Sequence, residues 1–270
     1  MTLAFEKTFD SAAEEYDKIR PSYLPAIYED ILQYQPLNAD SNTLEIGIGS
    51  GIATRPILNT GCKVVGLEPG EHLAALAKNR FREYALFSVE TCSLQEFVCP
   101  ADCFDLIYAA TAFHWIPEEY GYRRVYELLK EGGTFARFRY HAGSDKGREK
   151  LTDEIQALYR EYLKRGKPAE FGKTDAEAIA AIALNYGFVD PEYRIYHTTK
   201  DFTADEYLSL LHTYPDHMKL EESNRHALFN GIHQAILRNG GVITVYYTMD
   251  LELARKPFRY FSALNASTER

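Results

Sequence analysis

The sequence predicts an α/β fold in which buried parallel strands alternate with helices. A short apolar strand ends at Glu45 and Ile46 and runs into a glycine-rich turn of the pattern E-x-G-x-G-x-G. Two further short apolar runs, 62–69 and 104–109, are separated from this strand and from each other by segments that include helical periodicity. Strands that are apolar throughout are typical of a parallel sheet covered by helices on both faces.

Composition limits the class of protein before any motif is considered. The chain has 270 residues, enough for one large α/β domain with insertions or for a domain with a cap. Its net charge of −9 makes nucleic acid a poor partner. No apolar run is long enough to span a bilayer, residues 1–10 do not resemble a signal peptide, and no C-x-x-C pair occurs. We therefore expect reduced thiols, a cytoplasmic location, no membrane partner and no metal site, and the oligomeric state stays open.

Residues 1–36 precede the first strand and are predicted to form a helical arm. One helix is expected up to about Arg20 and a second from Pro25. The arm has the pattern Y-x-x-x-R-P-x-Y, formed by Tyr16, Arg20 and Tyr23. Arg20 could hold a carboxylate while the tyrosines line a cofactor pocket, or the arm could be an exposed amphipathic segment.

The glycine-rich turn predicts a site where a ligand lies against bare main chain. Its glycines are Gly47, Gly49 and Gly51. A helix expected over 52–58 would point its N terminus at the same place. The dinucleotide fingerprint G-x-G-x-x-G requires a third glycine where this chain has Ile52, which argues against a pyrophosphate site. The carboxylate of Glu45 suits a ligand with an amine or ammonium group.

The second predicted strand ends in Glu68. A carboxylate at this position can accept hydrogen bonds from both ribose hydroxyls of an adenosine, which supports adenosine binding without indicating the reaction. A carboxylate that only caps the following helix is the alternative.

The fourth predicted strand, 104–109, continues into the sequence A-F-H-W-I. His114 and Trp115 thus follow the carboxyl end of a strand, where ligands bind in open α/β sheets. His114 could orient an acceptor or accept its proton, or it could be an ordinary residue at a helix start. Trp115 could face a sulfonium cation or belong to the core.

The fifth predicted strand, 134–140, follows a helix that Gly132 and Gly133 are expected to end. Its alternation places Arg137 and Arg139 on one face, where they could bind an acidic acceptor or be solvated.

The remaining chain is predicted to contain more helix than strand. His212 and Tyr214 fall at the end of a helix that starts with a capping box at Thr203, and they could face the acceptor or, as we favour, pack the cap. The expected elements are helices over 144–167, 174–186, 203–212 and 220–237 and strands over 193–199 and 242–253.

Several motifs occur together and in a consistent order: the Y-x-x-x-R-P-x-Y arm, the glycine turn, the acidic end of the second strand, and F-D-L-I followed by A-F-H-W-I. This set resembles class I S-adenosylmethionine (AdoMet) methyltransferases that act on small molecules, of the trans-aconitate and ubiquinone/menaquinone type. The resemblance implies a Rossmann-like seven-stranded sheet, mostly parallel with one antiparallel strand, with helices on both faces and helical cap insertions.

The resemblance also implies a domain division and a set of site residues. The division is an N-terminal arm over the cofactor at 1–36, an AdoMet-binding core at 37–143, cap insertions at 144–170 and 203–240, and the C-terminal half of the sheet at 171–202 and 241–270. The residues predicted to bind the cofactor are Tyr16, Arg20, Glu45, Gly47, Gly49, Gly51, Glu68, Pro69, Cys92, Ser93, Leu94, Ala110 and His114. His114 is the predicted catalytic residue, and the predicted acceptor-binding residues are Trp115, Arg137, Arg139, Tyr140, His212 and Tyr214.

The function expected from this resemblance is AdoMet-dependent methyl transfer to a small molecule, with a carboxylate as one candidate acceptor. Two alternatives stay open on the sequence alone. One is a non-catalytic AdoMet-binding sensor or partner protein, and the other, which the missing glycine disfavours, is an NAD(P)-dependent oxidoreductase.

Overall fold

The computed structural model describes residues 19–166 and 169–258, in which seven strands form one sheet of order β3-β2-β1-β4-β5-β7-β6. The strands are β1 Asn42–Ile46, β2 Lys63–Leu67, β3 Phe87–Glu90, β4 Phe104–Ala110, β5 Leu129–Gly143, β6 Val189–Thr203 and β7 Val242–Arg255. β1 pairs in parallel with β2 and β4, β2 with β3, and β4 with β5. The predicted Rossmann-like, mostly parallel sheet is confirmed.

Helices connect these strands. They are α1 Pro25–Tyr34, α2 Arg55–Leu58, α3 Glu71–Arg80, α4 Glu118–Leu128, α5 Glu149–Tyr162, α6 Lys173–Ile182, α7 Ala204–His212, α8 Pro215–Met218 and α9 Glu222–Arg238, with 3-10 turns at Phe113–Trp115 and Ala183–Tyr186. The capping box predicted for α7 is present, because Thr203 Oγ1 accepts the Glu206 N–H at 3.3 Å while the Glu206 carboxylate accepts the Thr203 N–H at 2.8 Å.

Several elements differ from their predicted bounds. The helix expected over 52–58 is only the four-residue α2, because residues 51–54 form turns in which the Thr54 N–H donates to the Gly51 carbonyl at 3.4 Å. Gly132 and Gly133 lie inside β5 and do not terminate α4. The helix expected over 144–167 is the shorter α5, and the strands expected over 134–140 and 193–199 are the longer β5 and β6.

By packing, the chain divides into two units. Among the described residues, unit 1 comprises 19–21, 140–166, 169–171 and 196–249, and unit 2 comprises 22–139, 172–195 and 250–258. In unit 1, α5 packs on α9 through buried Leu151, Ile155, Leu228 and Ile232. In unit 2, the core contains Leu44, Ile46, Leu67 and Ile107 of the parallel strands. The arm, core and cap divisions expected from the sequence stay predictions.

In the described part of the chain, no helix combines the length and apolar character that crossing a membrane requires. The predicted helix ahead of Arg20 lies almost wholly outside the described residues, and so does Tyr16.

Candidate functional site

In the turn after β1, glycine is required at three positions for different physical reasons. All have positive φ: +67° at Gly47, +57° at Gly49 and +86° at Gly51. A Cβ added at Gly47 would lie 2.5 Å from the Cβ of Ala112, and one at Gly51 would lie 2.5 Å from Phe81 Cε2. A Cβ at Gly49 would meet nothing within 4 Å. Gly49 therefore presents bare main chain to open space.

Glu68 holds this turn from the end of β2. Its Oε2 accepts the N–H of Gly49 at 2.9 Å and its Oε1 accepts the N–H of Gly70 at 2.9 Å. The residue is only 7% exposed, and both carboxylate oxygens are held by main-chain N–H groups. An acidic group is thus fixed beside the open main chain of Gly49, with the half-buried Pro69 following it.

Glu45 supports the turn from inside the fold. The side chain is 1% exposed, and its Oε2 accepts hydrogen bonds from Thr54 Oγ1 and Tyr108 Oη, both at 2.7 Å. Burial raises the pKa of Glu45 to about 7, although the two hydrogen bonds act in the opposite direction. Glu45 ties the exit of the glycine turn to β1 and β4, so its geometry fits a positioning role and does not support the predicted contact with a ligand ammonium.

The predicted helix dipole is not available at this turn. A four-residue helix such as α2 has little macrodipole, and turns separate it from the glycines. What remains is the open main chain at Gly49 together with the Glu68 carboxylate.

The turn after β4 packs directly on the glycine turn, because Ala112 lies against Gly47. Thr111 has a φ of +53°, a conformation that a β-branched residue rarely adopts. Its N–H donates to the Phe138 carbonyl at 2.8 Å, and its Oγ1 lies 2.6 Å from Tyr23 Oη. Strained residues of this kind concentrate at functional sites. No sequence signal identified Thr111, since the run Ala-Ala-Thr-Ala contains neither glycine nor asparagine.

His114 and Trp115 follow in the same turn and are both exposed, Trp115 at 37%. Their ring centroids are 4.8 Å apart. Phe113 between them and the strand is buried in the core and anchors the turn. The structure thus places the turn 110–115 against the glycine turn through Ala112, and Glu68 holds the same glycine turn at Gly49.

Three of the predicted cofactor-binding residues, Cys92, Ser93 and Leu94, lie in a segment held by contacts within the chain. The N–H and Oγ of Ser93 donate to Glu96 Oε2 at 2.9 and 2.7 Å. Leu94 is 2% exposed and packs in the core cluster of unit 2, so it offers no open face to a ring. Cys92 is half-buried, and burial raises the pKa of its thiol. This geometry argues against the predicted contacts of Ser93 and Leu94.

Arg137 and Arg139 face buried carboxylates. Arg137 Nε lies 3.5 Å from Glu252 Oε2, and its Nη1 donates to Tyr122 Oη at 3.2 Å. Arg139 Nε lies 3.9 Å from Asp250 Oδ2. Burial, followed by the negative charge of Asp250, raises the pKa of Glu252 to about 9. Each guanidinium thus already lies beside a carboxyl group of the chain, which weakens the prediction that these arginines bind an acidic acceptor.

The remaining predicted residues lie in unit 1. Arg20 Nη1 donates to Tyr140 Oη at 2.6 Å and Nη2 donates to the Thr213 carbonyl at 2.8 Å, while the guanidinium lies 4.6 Å from the ring centroid of Tyr214. His212 is exposed, with its ring edge-on to Phe229 at 4.6 Å. Arg20, predicted to hold the cofactor, is thus grouped with predicted acceptor residues.

Across residues 19–166 and 169–258, no cluster of three or more His, Cys, Asp or Glu side chains is placed to hold a metal ion.

Comparison with known sequences adds to this geometry. The profile of a family described as a methyltransferase domain matches residues 44–136. An uncharacterized methyltransferase of Geobacillus sp. strain WCH70 is 30% identical over 180 residues, covering 57% of this chain and 83% of that protein. An uncharacterized methyltransferase of Schizosaccharomyces pombe is 22% identical over 256 residues, covering 90% of this chain and 97% of that protein.

Two solved structures share the fold. The YcgJ protein of Bacillus subtilis superimposes with a TM-score of 0.56 at 14% identity, over 86% of this chain and 99% of that chain. Phosphoethanolamine N-methyltransferase 2 of Haemonchus contortus, bound to phosphomonomethylethanolamine and S-adenosylhomocysteine, gives 0.53 at 18% identity, over 92% of this chain and 58% of that chain. At these identities the likeness is one of fold.

Proposed function

Because this chain belongs to the class I AdoMet-dependent methyltransferases, we propose that it transfers the methyl group of AdoMet to a small-molecule acceptor. The observation that carries this proposal is the open main chain at Gly49 beside the fixed carboxylate of Glu68. A nucleoside with two ribose hydroxyls has the complementary shape and donors.

The residues present fit this cofactor. The main chain of Gly49 leaves room for a ligand, and Glu68 would accept the ribose hydroxyls at the end of β2. Gly47 and Gly51 would keep the turn closed against Ala112 and Phe81. The bound cofactor supplies a methyl group on a positively charged sulfur, so the chain needs chiefly to align the reactants and exclude water.

His114 and Trp115 are proposed to act on the acceptor side. Both rings are exposed on the turn that packs against Gly47. A histidine there can take a proton from an O–H or N–H acceptor, and an indole face can stabilise a cation. Tyr23 lies at the same turn, because its Oη is 2.6 Å from Thr111 Oγ1.

A small molecule is the acceptor class favoured by the charge and by the fold. The chain carries a net charge of −9, which opposes binding to nucleic acid. The Haemonchus enzyme, which shares the fold, has a small phosphorylated amine in its structure. A carboxylate acceptor is less favoured, since Arg137 and Arg139 face Glu252 and Asp250.

The four free thiols support the proposed cytoplasmic location.

Titration calorimetry tests the proposal. The full chain should bind AdoMet and S-adenosylhomocysteine with a stoichiometry near one, and NAD(P) should give no heat. Binding to NAD(P) but not to AdoMet would reject the proposed cofactor. Incubation with methyl-labelled AdoMet and an acceptor panel then separates an enzyme from a sensor, because a sensor binds AdoMet and transfers no label.

A further inference from the structure

Unit 1 contains a cavity of about 590 Å³ that lies between α5, α7 and the unit 1 parts of the three long strands. All of its lining residues belong to unit 1. Sites for small molecules typically have volumes of about 300–1,000 Å³. The cavity therefore has the size of a ligand site, and it is separate from the residues of the glycine turn.

The walls of this cavity are mostly aromatic and aliphatic. Tyrosine rings come from α5, α7, the segment after α7 and β7, and the aliphatic side chains come from the same elements. These residues are Tyr159, Tyr207, Tyr214, Tyr247, Ile155 and Leu210. At one side, His141 stacks on Phe171 with ring centroids 3.8 Å apart. Such walls suit a ligand whose body is a flat ring.

The tyrosine hydroxyls of this cavity are neutral. Burial raises the pKa of Tyr159 to about 12, and it raises the pKa values of Tyr207, Tyr214 and Tyr247 further. They are therefore hydrogen-bonding groups and carry no charge near neutral pH.

Two polar atoms at the cavity walls are buried without a hydrogen-bond partner among the described residues. They are Oε1 of Gln156 and Oη of Tyr247. Gln156 is 9% exposed and Tyr247 is 1% exposed. Buried polar groups in proteins are nearly always hydrogen-bonded, so two such atoms at one cavity indicate a partner that the described residues do not supply. A hydroxyl group can both donate to the amide oxygen and accept from the phenol.

The charged side chains at the cavity are balanced by the chain itself. Lys146 Nζ lies 3.6 Å from Glu170 Oε1, and Arg165 donates to Asp216. The carboxylate of Asp145 accepts the N–H groups of Gly147 and Thr244 at 2.9 and 3.1 Å. A charged ligand would therefore find no unmatched countercharge among these groups and would lose its hydration.

We propose that this cavity binds a neutral, hydroxyl-bearing aromatic molecule. The proposal rests on the aromatic walls and on the buried polar atoms of Gln156 and Tyr247.

The test compares three probes that share one ring and differ in charge: 4-methylphenol, 4-methylbenzoate and 4-methylbenzylamine. Their affinities for the full chain are measured by ligand-observed NMR titration without AdoMet. The neutral phenol should bind at least about tenfold more tightly than either ion. Equal or tighter binding of the benzoate or the benzylamine would overturn the proposal.

Two variants locate the site. Tyr247→Phe and Gln156→Leu should each weaken binding of 4-methylphenol by about 5- to 10-fold, the loss expected for one hydrogen bond. Tyr247→Phe should not lower the melting temperature, because the deleted hydroxyl has no partner in the unliganded protein. A purely structural tyrosine would show the reverse pattern. Tyr28→Phe, at an equally buried tyrosine of unit 2, is the matched control and should leave the phenol affinity unchanged.

The outcomes separate this proposal from the proposed function. AdoMet calorimetry on the same samples reports on the cofactor site alone. If AdoMet binds and 4-methylphenol does not, or if both cavity variants bind the phenol as tightly as the parent, the cavity proposal is rejected and the methyltransferase assignment stands. If the phenol binds and AdoMet does not, the proposed function fails and the cavity proposal stands.

Discussion

Buried polar groups are treated in opposite ways at the two candidate sites of this protein. At the glycine turn in unit 2, the carboxylates of Glu45 and Glu68 accept hydrogen bonds from the chain. At the cavity in unit 1, Gln156 Oε1 and Tyr247 Oη have no partner among the described residues. A satisfied group rigidifies the backbone that a ligand contacts, whereas an unsatisfied group indicates where a ligand supplies the missing bond.

Unit 2 also contains a carboxyl group, that of Glu252, whose oxygen atoms resemble the two cavity atoms in lacking a hydrogen-bond partner in the described part of the chain. Both oxygens of Glu252 are buried without a hydrogen-bond partner among the described residues. Its raised pKa provides a different solution, because a carboxyl that keeps its proton avoids burying a charge. Buried polar groups of this chain therefore occur in three states. Some are hydrogen-bonded, one carboxyl group keeps its proton, and two atoms at a cavity have no hydrogen-bond partner among the described residues.

The largest expected effect is the loss of stability caused by substituting a glycine of the turn after β1. If the loss were absent, the contrast between a rigid glycine turn and an unsatisfied cavity would not hold. Gly47→Ala combines a positive φ with a Cβ placed 2.5 Å from Ala112, and should lower the free energy of unfolding by about 2–5 kcal/mol. Gly49→Ala carries only the backbone cost of about 1–2 kcal/mol. Its main effect should be on AdoMet affinity, since the new methyl group enters the open space beside the main chain. Urea denaturation and calorimetry measure the two quantities.

Gly61→Ala is the matched control for this pair. Gly61 has a φ of +83° and open space around it, and it lies after α2, beyond the glycine turn. It should cost as much stability as Gly49→Ala and leave AdoMet affinity unchanged. Equal affinity losses at positions 49 and 61 would show that the open main chain does not contact the cofactor.

The next effect concerns the satisfied carboxylate inside the fold. Glu45→Leu would leave the hydroxyls of Thr54 and Tyr108 buried without an acceptor, at a cost of about 2–4 kcal/mol in the free energy of unfolding. Glu45→Gln keeps one acceptor oxygen and should cost clearly less. Chemical denaturation of both variants is the measurement, and equal losses would mean that these hydrogen bonds do not support the turn.

A smaller effect is expected at Glu68 and concerns the cofactor. Glu68→Gln replaces a carboxylate that accepts two N–H groups and the proposed ribose hydroxyls by a group with one acceptor oxygen. AdoMet affinity should fall by about 1–3 kcal/mol, or roughly 5- to 150-fold. Calorimetry measures it, with the exposed Glu83→Gln as control. An affinity that does not change would mean that the adenosine is placed wrongly.

A pH dependence of stability is also expected from Glu252. The pKa of Glu252 is raised from 4.5 to about 9 on folding. Between these two pH values the folded state therefore binds more protons than the unfolded state. Stability is therefore greatest at the acid end and falls as pH rises, by no more than about 1.4 kcal/mol per pH unit for one proton. Glu252→Gln should flatten this slope in urea titrations between pH 5 and 9, while the exposed Glu177→Gln should not.

The order of strands and helices could be predicted from the sequence. Periodicity, capping residues and glycines are local signals, and they located β1, β2, β4, α1 and the capping box of α7 close to their observed bounds. The glycine turn and the acidic end of β2 were also visible, because both are patterns of neighbouring residues. Element boundaries were predicted wrongly where a glycine does not end a helix, as for Gly132 and Gly133, which lie inside β5.

The sequence by itself determined the fold class, the methyltransferase resemblance and the place of the glycine turn, since each depends on residues close together in the chain. Only the tertiary structure decided that Gly49 is open while Gly47 meets Ala112, and that Arg137 meets Glu252. It also decided that Gln156 and Tyr247 line one cavity without a partner. These facts depend on contacts between residues far apart in sequence, and a side chain's neighbours in space set its burial, its charge state and its freedom to meet a ligand.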